Sequence, residues 1–251
     1  MTGLCVIPAR GGSKRIPSKN TMEFMGVPMI CHSLNAATDS NLFSEIHVST
    51  ESEEIMAVAE DAGWKPSFQR PRDLADDHTP LIPVLQWVLD EFARRGRTFD
   101  SVCLLMSCAP LLNSDDLRSA YGLYEKHDGK FPVLSAARFP VPVEWAYRLD
   151  AGEFLVPREP SALAARSQDL TEAFYDAGMF AIFPTDLFVD GSYESDRPML
   201  AHQMPAWRAV DIDTEEDLLL AEILARGIRS LNEDEDARER VGGPQNLLVP
   251  R

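Results

Sequence analysis

Leu4-Cys5-Val6-Ile7-Pro8-Ala9-Arg10-Gly11-Gly12-Ser13-Lys14-Arg15-Ile16-Pro17-Ser18-Lys19-Asn20 is the stretch on which the reading of the fold turns. Its first four residues form an apolar run of the length expected for a strand buried on both faces. The character then changes at once, to Pro8, the glycine pair Gly11 and Gly12, and the cations Arg10, Lys14, Arg15 and Lys19. Paired glycines let backbone N–H groups turn inward with no Cβ in the way, which makes a cradle for an anion. Cations on both sides add charge-assisted bonds suited to phosphate oxygens. The chain as a whole carries a net charge of -16, so positive charge concentrated here points to a polyphosphate ligand rather than a generally basic surface. Two common phosphate motifs are excluded by spacing. Gly12-Ser13-Lys14-Arg15 does not supply the GK[ST] ending of a P-loop, and no third glycine completes G-x-G-x-x-G.

Outward from this loop, strand and helix signals alternate. Pro28 opens a helix through Ala37, with Ile30, Leu34 and Ala37 on its apolar side. Glu45 to Thr50 is alternating and β-branched, as in a strand. Thr50-x-x-Glu53 has a capping pattern and predicts a helix from about Ser52 to Asp61, stopped by Gly63. This order predicts a parallel sheet with right-handed crossovers and a ligand site beyond the carboxyl ends of its strands, where residues 8–20 fall. Pro80 and Pro83 sit in the first turn of a helix reaching about Arg95. Phe99 to Met106 is the most apolar strand and is expected at the sheet centre. Asn113 or Ser114 caps the next helix, with Asp115 and Asp116 in its first turn. Phe131 to Arg138 is a further strand, and Glu144 to about Leu155 suggests an antiparallel hairpin around Asp150-Ala151-Gly152.

Ala209 to Asp213 reads as a strand that places Asp211 and Asp213 on one face, with backbones about 6–7 Å apart. Two such carboxylates can converge on one Mg2+, although Asp213 also stands directly before a helix start at Thr214-x-x-Asp217. Leu218 to Ala225 continues as an amphipathic helix. Beyond Gly227 charge dominates, so residues 229–251 read as a solvated tail or frayed helix. The terminal Leu248-Val249-Pro250-Arg251 resembles a thrombin-recognition remnant and is left out of the functional reading.

At 251 residues, 45% of them hydrophobic, the chain supports one sizeable α/β domain, taken as residues 1–228. Its acidity excludes nucleic acid and anionic membrane as general partners. Cys5, Cys31, Cys103 and Cys108 have no metal-binding or CxxC spacing and read as small core residues in a reducing cytoplasm.

The strand followed by IPARGGSKRIPSKN resembles the opening signature of the cytidylyltransferases that couple CTP to nonulosonic acids, the CMP-sialic acid synthetase family. The likeness runs from about Leu4 to Gly227. It includes Arg166-Ser167-Gln168-Asp169-Leu170, Tyr175-Asp176-Ala177-Gly178-Met179-Phe180 and the late DIDTEED motif. Where the sialic acid type carries a Gln-Pro-Thr-Ser-Pro-like run, this chain has Ser107-Cys108-Ala109-Pro110, which resembles the pseudaminic acid type.

The resemblance implies a three-layer Rossmann-like nucleotidyltransferase fold with a mainly parallel sheet and a small antiparallel excursion. It implies that Ala9, Arg10, Gly11, Gly12, Asn20, Arg70 and Ser107 bind the nucleotide. Arg10, Lys14 and Lys19 would stabilise the triphosphate and departing pyrophosphate. Arg166, Gln168 and Tyr175 would meet an acidic nine-carbon sugar, and Asp211 and Asp213 would hold Mg2+. An arginine fork and an amide suit the cytosine edge, and arginine suits a sugar carboxylate. Residues of about 140–175 are expected to form a lobe over the sugar site, and a homodimer is expected. No histidine stands in a motif, so no side-chain general base is assigned. Competing readings are a synthetase for sialic, legionaminic or 3-deoxy-manno-octulosonic acid, and a non-catalytic module that binds CTP or CMP-sugar.

Overall fold

In the computed structural model, which describes residues 2–76, 79–191, 193–194 and 196–241, β1 (Gly3–Pro8) is buried along its whole length. Cys5 and Ile7 enter one apolar layer while Leu4 and Val6 enter the other. A strand covered on both faces needs no polar alternation, which explains its uninterrupted apolar run. A short hairpin follows, β2 (Glu23–Phe24) with β3 (Val27–Pro28), and then α1 (Met29–Ser40). The chain continues through β4 (Glu45–Ser49), α2 (Glu53–Asp61), α3 (Leu81–Arg94), β5 (Ser101–Leu105), α4 (Ser114–Lys126) and β6 (Val133–Arg138). Then come β7 (Tyr147–Asp150), β8 (Phe154–Pro157), β9 (Phe174–Pro184), β10 (Leu200–Gln203) and α5 (Glu215–Val241).

The main sheet has the order β10-β6-β9-β5-β1-β4. β1 runs parallel to β4 and β5, and β10 parallel to β6, while β9 alone is antiparallel to both its neighbours. Leu34 of α1, Ile55 of α2 and Leu117 of α4 pack into the layer on one face. Val88 and Phe92 of α3, with Leu187 and Phe188 of the 3-10 turn Thr185–Gly191, pack into the other. The α/β, three-layer, mainly parallel expectation therefore holds, and β5 lies inside the sheet as its apolarity requires.

This topology places the site. From β1 the chain crosses first to β4 on one side and later to β5 on the other, so a crevice opens beyond the carboxyl ends of β1 and β5. Because β9 runs the other way, its beginning lies at that same edge, where Met106 N–H donates to Met179 O at 2.9 Å.

Local chemistry agrees with the expected boundaries in several places and departs in two. Asn113 closes a full capping box with Asp116, and the β7–β8 turn uses Ala151 (φ 47°) and Gly152 (φ 78°). The cap of α2, however, is Ser52, whose Oγ accepts from Ile55 N–H at 3.4 Å, whereas Thr50 Oγ1 serves Ser52 N–H. Residues 209–213 are not a strand: no partner strand pairs with them, and the segment is tied instead through Ile212 N–H to Cys108 O at 3.4 Å. For the charged stretch from Asn232, read as a solvated tail or a frayed helix, the helix is what is found: α5 continues to Val241. Leu248-Val249-Pro250-Arg251 lies outside the described residues.

Candidate functional site

Beyond the ends of β1, β4 and β5 lies a cavity of about 470 Å³. One wall is the basic loop, contributing Arg10, Ser13, Lys14, Arg15, Lys19 and Asn20. The remaining lining includes Arg70, Leu81 and Val84 of α3, Ser107, Cys108, Asp211 and Asp213. Segments nearly two hundred residues apart in the chain thus meet at one crevice, because each leaves the sheet at the same edge.

The loop is fastened by Asn20, which donates and accepts at once, and by the donors Lys19 and Arg15. Asn20, only 5% exposed, donates through Nδ2 to Arg10 O at 2.9 Å. Its Oδ1 accepts from Ser107 Oγ at 2.7 Å and from Cys108 Sγ at 3.3 Å, so it bridges the ends of β1 and β5. Lys19 Nζ donates to Ile212 O at 2.5 Å and to Asp213 Oδ1 at 3.1 Å, and Arg15 Nη2 reaches Asp213 Oδ2 at 3.0 Å. The basic loop and the late acidic segment are therefore in direct contact.

Asp211 is set differently. It faces the cavity behind Gly178, whose left-handed φ of +66° and missing side chain make room: an added Cβ would stand 3.0 Å from Asp211 Oδ2. Burial, and then the charge of Asp213, push its carboxyl from 3.8 to about 6, while Lys19 opposes them. Two carboxylates lining one cavity, the inner one strained by the charge of the outer, form a hard oxygen donor pair whose repulsion a divalent cation relieves.

Gly11 owes its identity to close packing and not to backbone sign. A Cβ there would meet Ser52 Cβ at 3.0 Å, while Gly12 faces open space. The N–H of Gly11 does meet an anion, but one supplied by the chain: Glu51 Oε1 accepts it at 2.8 Å. The other oxygen of Glu51 accepts from Arg70 Nη2 at 3.0 Å. Arg70 is 4% exposed, and its buried Nε has no hydrogen-bond partner among the described residues.

Of the residues singled out from sequence, Arg10, Lys14, Lys19, Asn20, Arg70, Ser107, Asp211 and Asp213 share the cavity wall. Ala9 lies just beneath, 1% exposed, its N–H donated to Ser49 O at 3.0 Å. Arg166, Gln168 and Tyr175 are not brought into this wall. Arg166 is exposed and forks onto Asp169 with bonds of 2.7 and 3.0 Å; Gln168 is exposed beside it, and half-buried Tyr175 packs edge-on to Phe139. Reading the sequence missed Glu51 and gave Arg15 no separate role. The available signal for Glu51 was an acid directly after a strand that ends at the ligand edge.

A second buried polar unit supports the acidic segment. Arg208 donates to Asp116 with bonds of 2.7 and 2.8 Å, just upstream of Asp211. Burial pushes the Asp116 carboxyl up, but His202, the Asn113 N–H and Arg208 together hold it below the usual carboxylate range.

A family profile described as Cytidylyltransferase matches residues 4–128. The chain is 36% identical over 224 residues to the pseudaminic acid cytidylyltransferase of Campylobacter jejuni subsp. jejuni serotype O:2, covering 89% of this chain and 96% of that protein. It is 31% identical to the CMP-N,N'-diacetyllegionaminic acid synthase of Legionella pneumophila subsp. pneumophila, over 88% of this chain and 95% of that protein. Among solved structures, CMP:2-keto-3-deoxy-manno-octonic acid synthetase complexed with CTP shares the fold with a TM-score of 0.66 at 17% identity, covering 92% of this chain and 100% of that one.

Proposed function

This chain belongs to the cytidylyltransferase family, and we propose that it couples CTP to pseudaminic acid, or to a closely related nonulosonic acid, giving CMP-sugar and pyrophosphate. The observation that carries this reading is the shared cavity, in which the cations of residues 10–19, buried Arg70 and the Asp211–Asp213 pair face one space. Preference for pseudaminic acid rests on the 36% identical relative and on Ser107-Cys108-Ala109-Pro110 at the end of β5.

The anomeric oxygen of the sugar attacks the α-phosphorus, the bond from that phosphorus to the pyrophosphate oxygen breaks, and the hydroxyl proton is released. The protein contributes position and charge. Arg10 and Lys14 hold the outer phosphates and the leaving pyrophosphate. Lys19, fixed by Ile212 O and Asp213, offers its ammonium at the junction of phosphates and acids. Arg70 and Asn20, both on the cavity wall, read the cytosine edge. Ser107 lies at the meeting point of base and sugar.

The donor chemistry of Asp211 and Asp213 fits Mg2+. Among the described residues no third metal-ligating side chain joins them, which leaves room for phosphate oxygens and water. When bound there, the ion supplies charge neutralisation at the phosphate and acidifies an incoming hydroxyl.

Residues 140–175 are assigned to a lobe over the sugar, with Arg166 meeting its carboxylate and Gln168 and Tyr175 its other groups. That lobe exposes Leu149 at 61%, Phe154 at 67% and Leu155 at 66%, an apolar surface suited to a second copy of the chain. A homodimer working on CTP in the cytoplasm is the assembly we propose.

The test is pyrophosphate release with each of four nucleoside triphosphates and a panel of pseudaminic, legionaminic, N-acetylneuraminic and 3-deoxy-manno-octulosonic acids. Turnover is expected with CTP, and fastest with pseudaminic acid. Binding of CTP with no release for any acid would instead identify a non-catalytic nucleotide module.

A further inference from the structure

Glu51 joins the two halves of the nucleotide site. Its carboxylate spends one oxygen on the N–H of Gly11 at 2.8 Å and the other on Arg70 Nη2 at 3.0 Å. Its backbone carbonyl accepts from Gln69 Nε2 at 2.9 Å, and Arg70 N–H in turn donates to Thr50 O at 2.9 Å. Thus the residue between β4 and α2 is stitched on one side to the phosphate loop and on the other to the segment carrying Arg70. Packing tightens the same joint, since a Cβ on Gly11 would stand only 3.0 Å from Ser52 Cβ.

Charge explains why an acid stands here, in a cavity otherwise suited to anions. The Arg70 guanidinium is almost wholly withdrawn from water, and a buried cation without a counter-charge is strongly unfavourable. Burial pushes the Glu51 carboxyl up, but the Gly11 N–H and Arg70 outweigh it and hold the group below the usual carboxylate range, so it is ionised at neutral pH. With Glu51 as its counter-charge, Arg70 can line the cavity wall while almost wholly withdrawn from water. The carboxylate also occupies the first N–H of the loop, which leaves triphosphate recognition to the cations and to the loop beyond Gly11.

We propose that Glu51 is a positioning residue that locks the phosphate loop and Arg70 into one unit, so that the nucleotide's base and phosphates are read in fixed register. It touches neither reacting atom; it acts through Gly11 and Arg70. The inference rests on the cytidylyltransferase reading of this cavity.

The test compares wild type, Glu51→Gln, Arg70→Gln and the double variant, with CTP and UTP as nucleotides. Glu51→Gln preserves shape while losing charge. It is expected to raise KM for CTP about tenfold or more, to reduce the CTP-over-UTP preference in kcat/KM by a similar factor, and to leave KM for the sugar within about twofold. In the Arg70→Gln background, adding Glu51→Gln should cost less than about threefold, because the guanidinium it positions is already gone. Equal rises in both KM values, an unchanged CTP preference, or full additivity with Arg70→Gln would overturn the proposal. Calorimetric titration of all four proteins with CTP and with UTP reads the same coupling without turnover. A wild type that binds CTP but releases no pyrophosphate would therefore defeat the reaction assignment while still judging Glu51.

Discussion

Replacing Asp211 by asparagine should make the metal-free protein more stable while removing its activity. In an unfolded chain this carboxyl titrates near 3.8; folded, burial and the neighbouring Asp213 push it to about 6. The folded state therefore holds the proton more tightly, and between these two values it binds more protons than the unfolded chain. Stability then falls as pH rises across that window, and the penalty is complete above it. At 1.36 kcal/mol per pH unit the full penalty is about 3 kcal/mol, and partial exposure of the site to water discounts it to about 1–2 kcal/mol. The neutral amide of the variant resembles the protonated acid and carries no such cost. For a chain of this size, 1 kcal/mol moves Tm by about 2–4 °C, so Asp211→Asn should melt about 2–8 °C higher at pH 8 in the presence of EDTA. The advantage should shrink towards pH 4, where the wild-type acid is also protonated. Added Mg2+ should stabilise wild type and not the variant, if the carboxylate pair is its site. Thermal melts at pH 4.5 and pH 8, with EDTA and with Mg2+, decide the matter. A variant that melts lower than wild type at pH 8 without metal, or whose difference from wild type is the same at both pH values, would refute the reasoning.

Lys19→Ala should lower kcat/KM by about 10²–10³, the loss typical of a preorganised charge at the reacting phosphate, and near-normal turnover would remove the loop from the mechanism. Asp116→Ala should lose about 2–4 kcal/mol in denaturant unfolding, because half-buried Arg208 loses its bidentate partner and α4 loses the N3 acid of its capping box. Arg166→Ala should raise KM for the sugar acid and leave KM for CTP unchanged. Its exposed pair with Asp169 contributes less than about 1 kcal/mol, so its melting temperature should stay at the wild-type value.

The parts of the fold legible in sequence were those governed by local rules. β1 could be read because a strand buried on both faces has only apolar side chains to show, and the cap at Asn113 because the box chemistry lies within four residues. The cationic loop was legible by contrast with an acidic chain. What escaped was set by tertiary partners. Phe174–Pro184 is an eleven-residue strand wedged antiparallel between β5 and β6, and periodicity carries no information about neighbours or direction. Ala209 to Asp213 alternates like a strand yet pairs with nothing, since Lys19 and Cys108 satisfy its carbonyl and amide instead. Both acids still reach the cavity, so the chemistry assigned to them did not depend on the strand. Glu51 was hidden as an unassigned position inside the Thr50-x-x-Glu53 pattern at a helix start, because its partners Gly11 and Arg70 are set by tertiary structure. Arg166, Gln168 and Tyr175 were named through resemblance alone; Arg166 and Gln168 lie on an exposed 3-10 turn and Tyr175 in β9 of the main sheet, none of them on the nucleotide wall.

The most direct measurement is a crystal structure of the protein with CTP and Mg2+. The triphosphate is predicted to lie against Arg10, Lys14 and Lys19, the base beside Arg70 and Asn20, and the ion between the innermost phosphate and Asp211 and Asp213. Nucleotide bound elsewhere, or an α-phosphate turned away from those two acids, would contradict this arrangement.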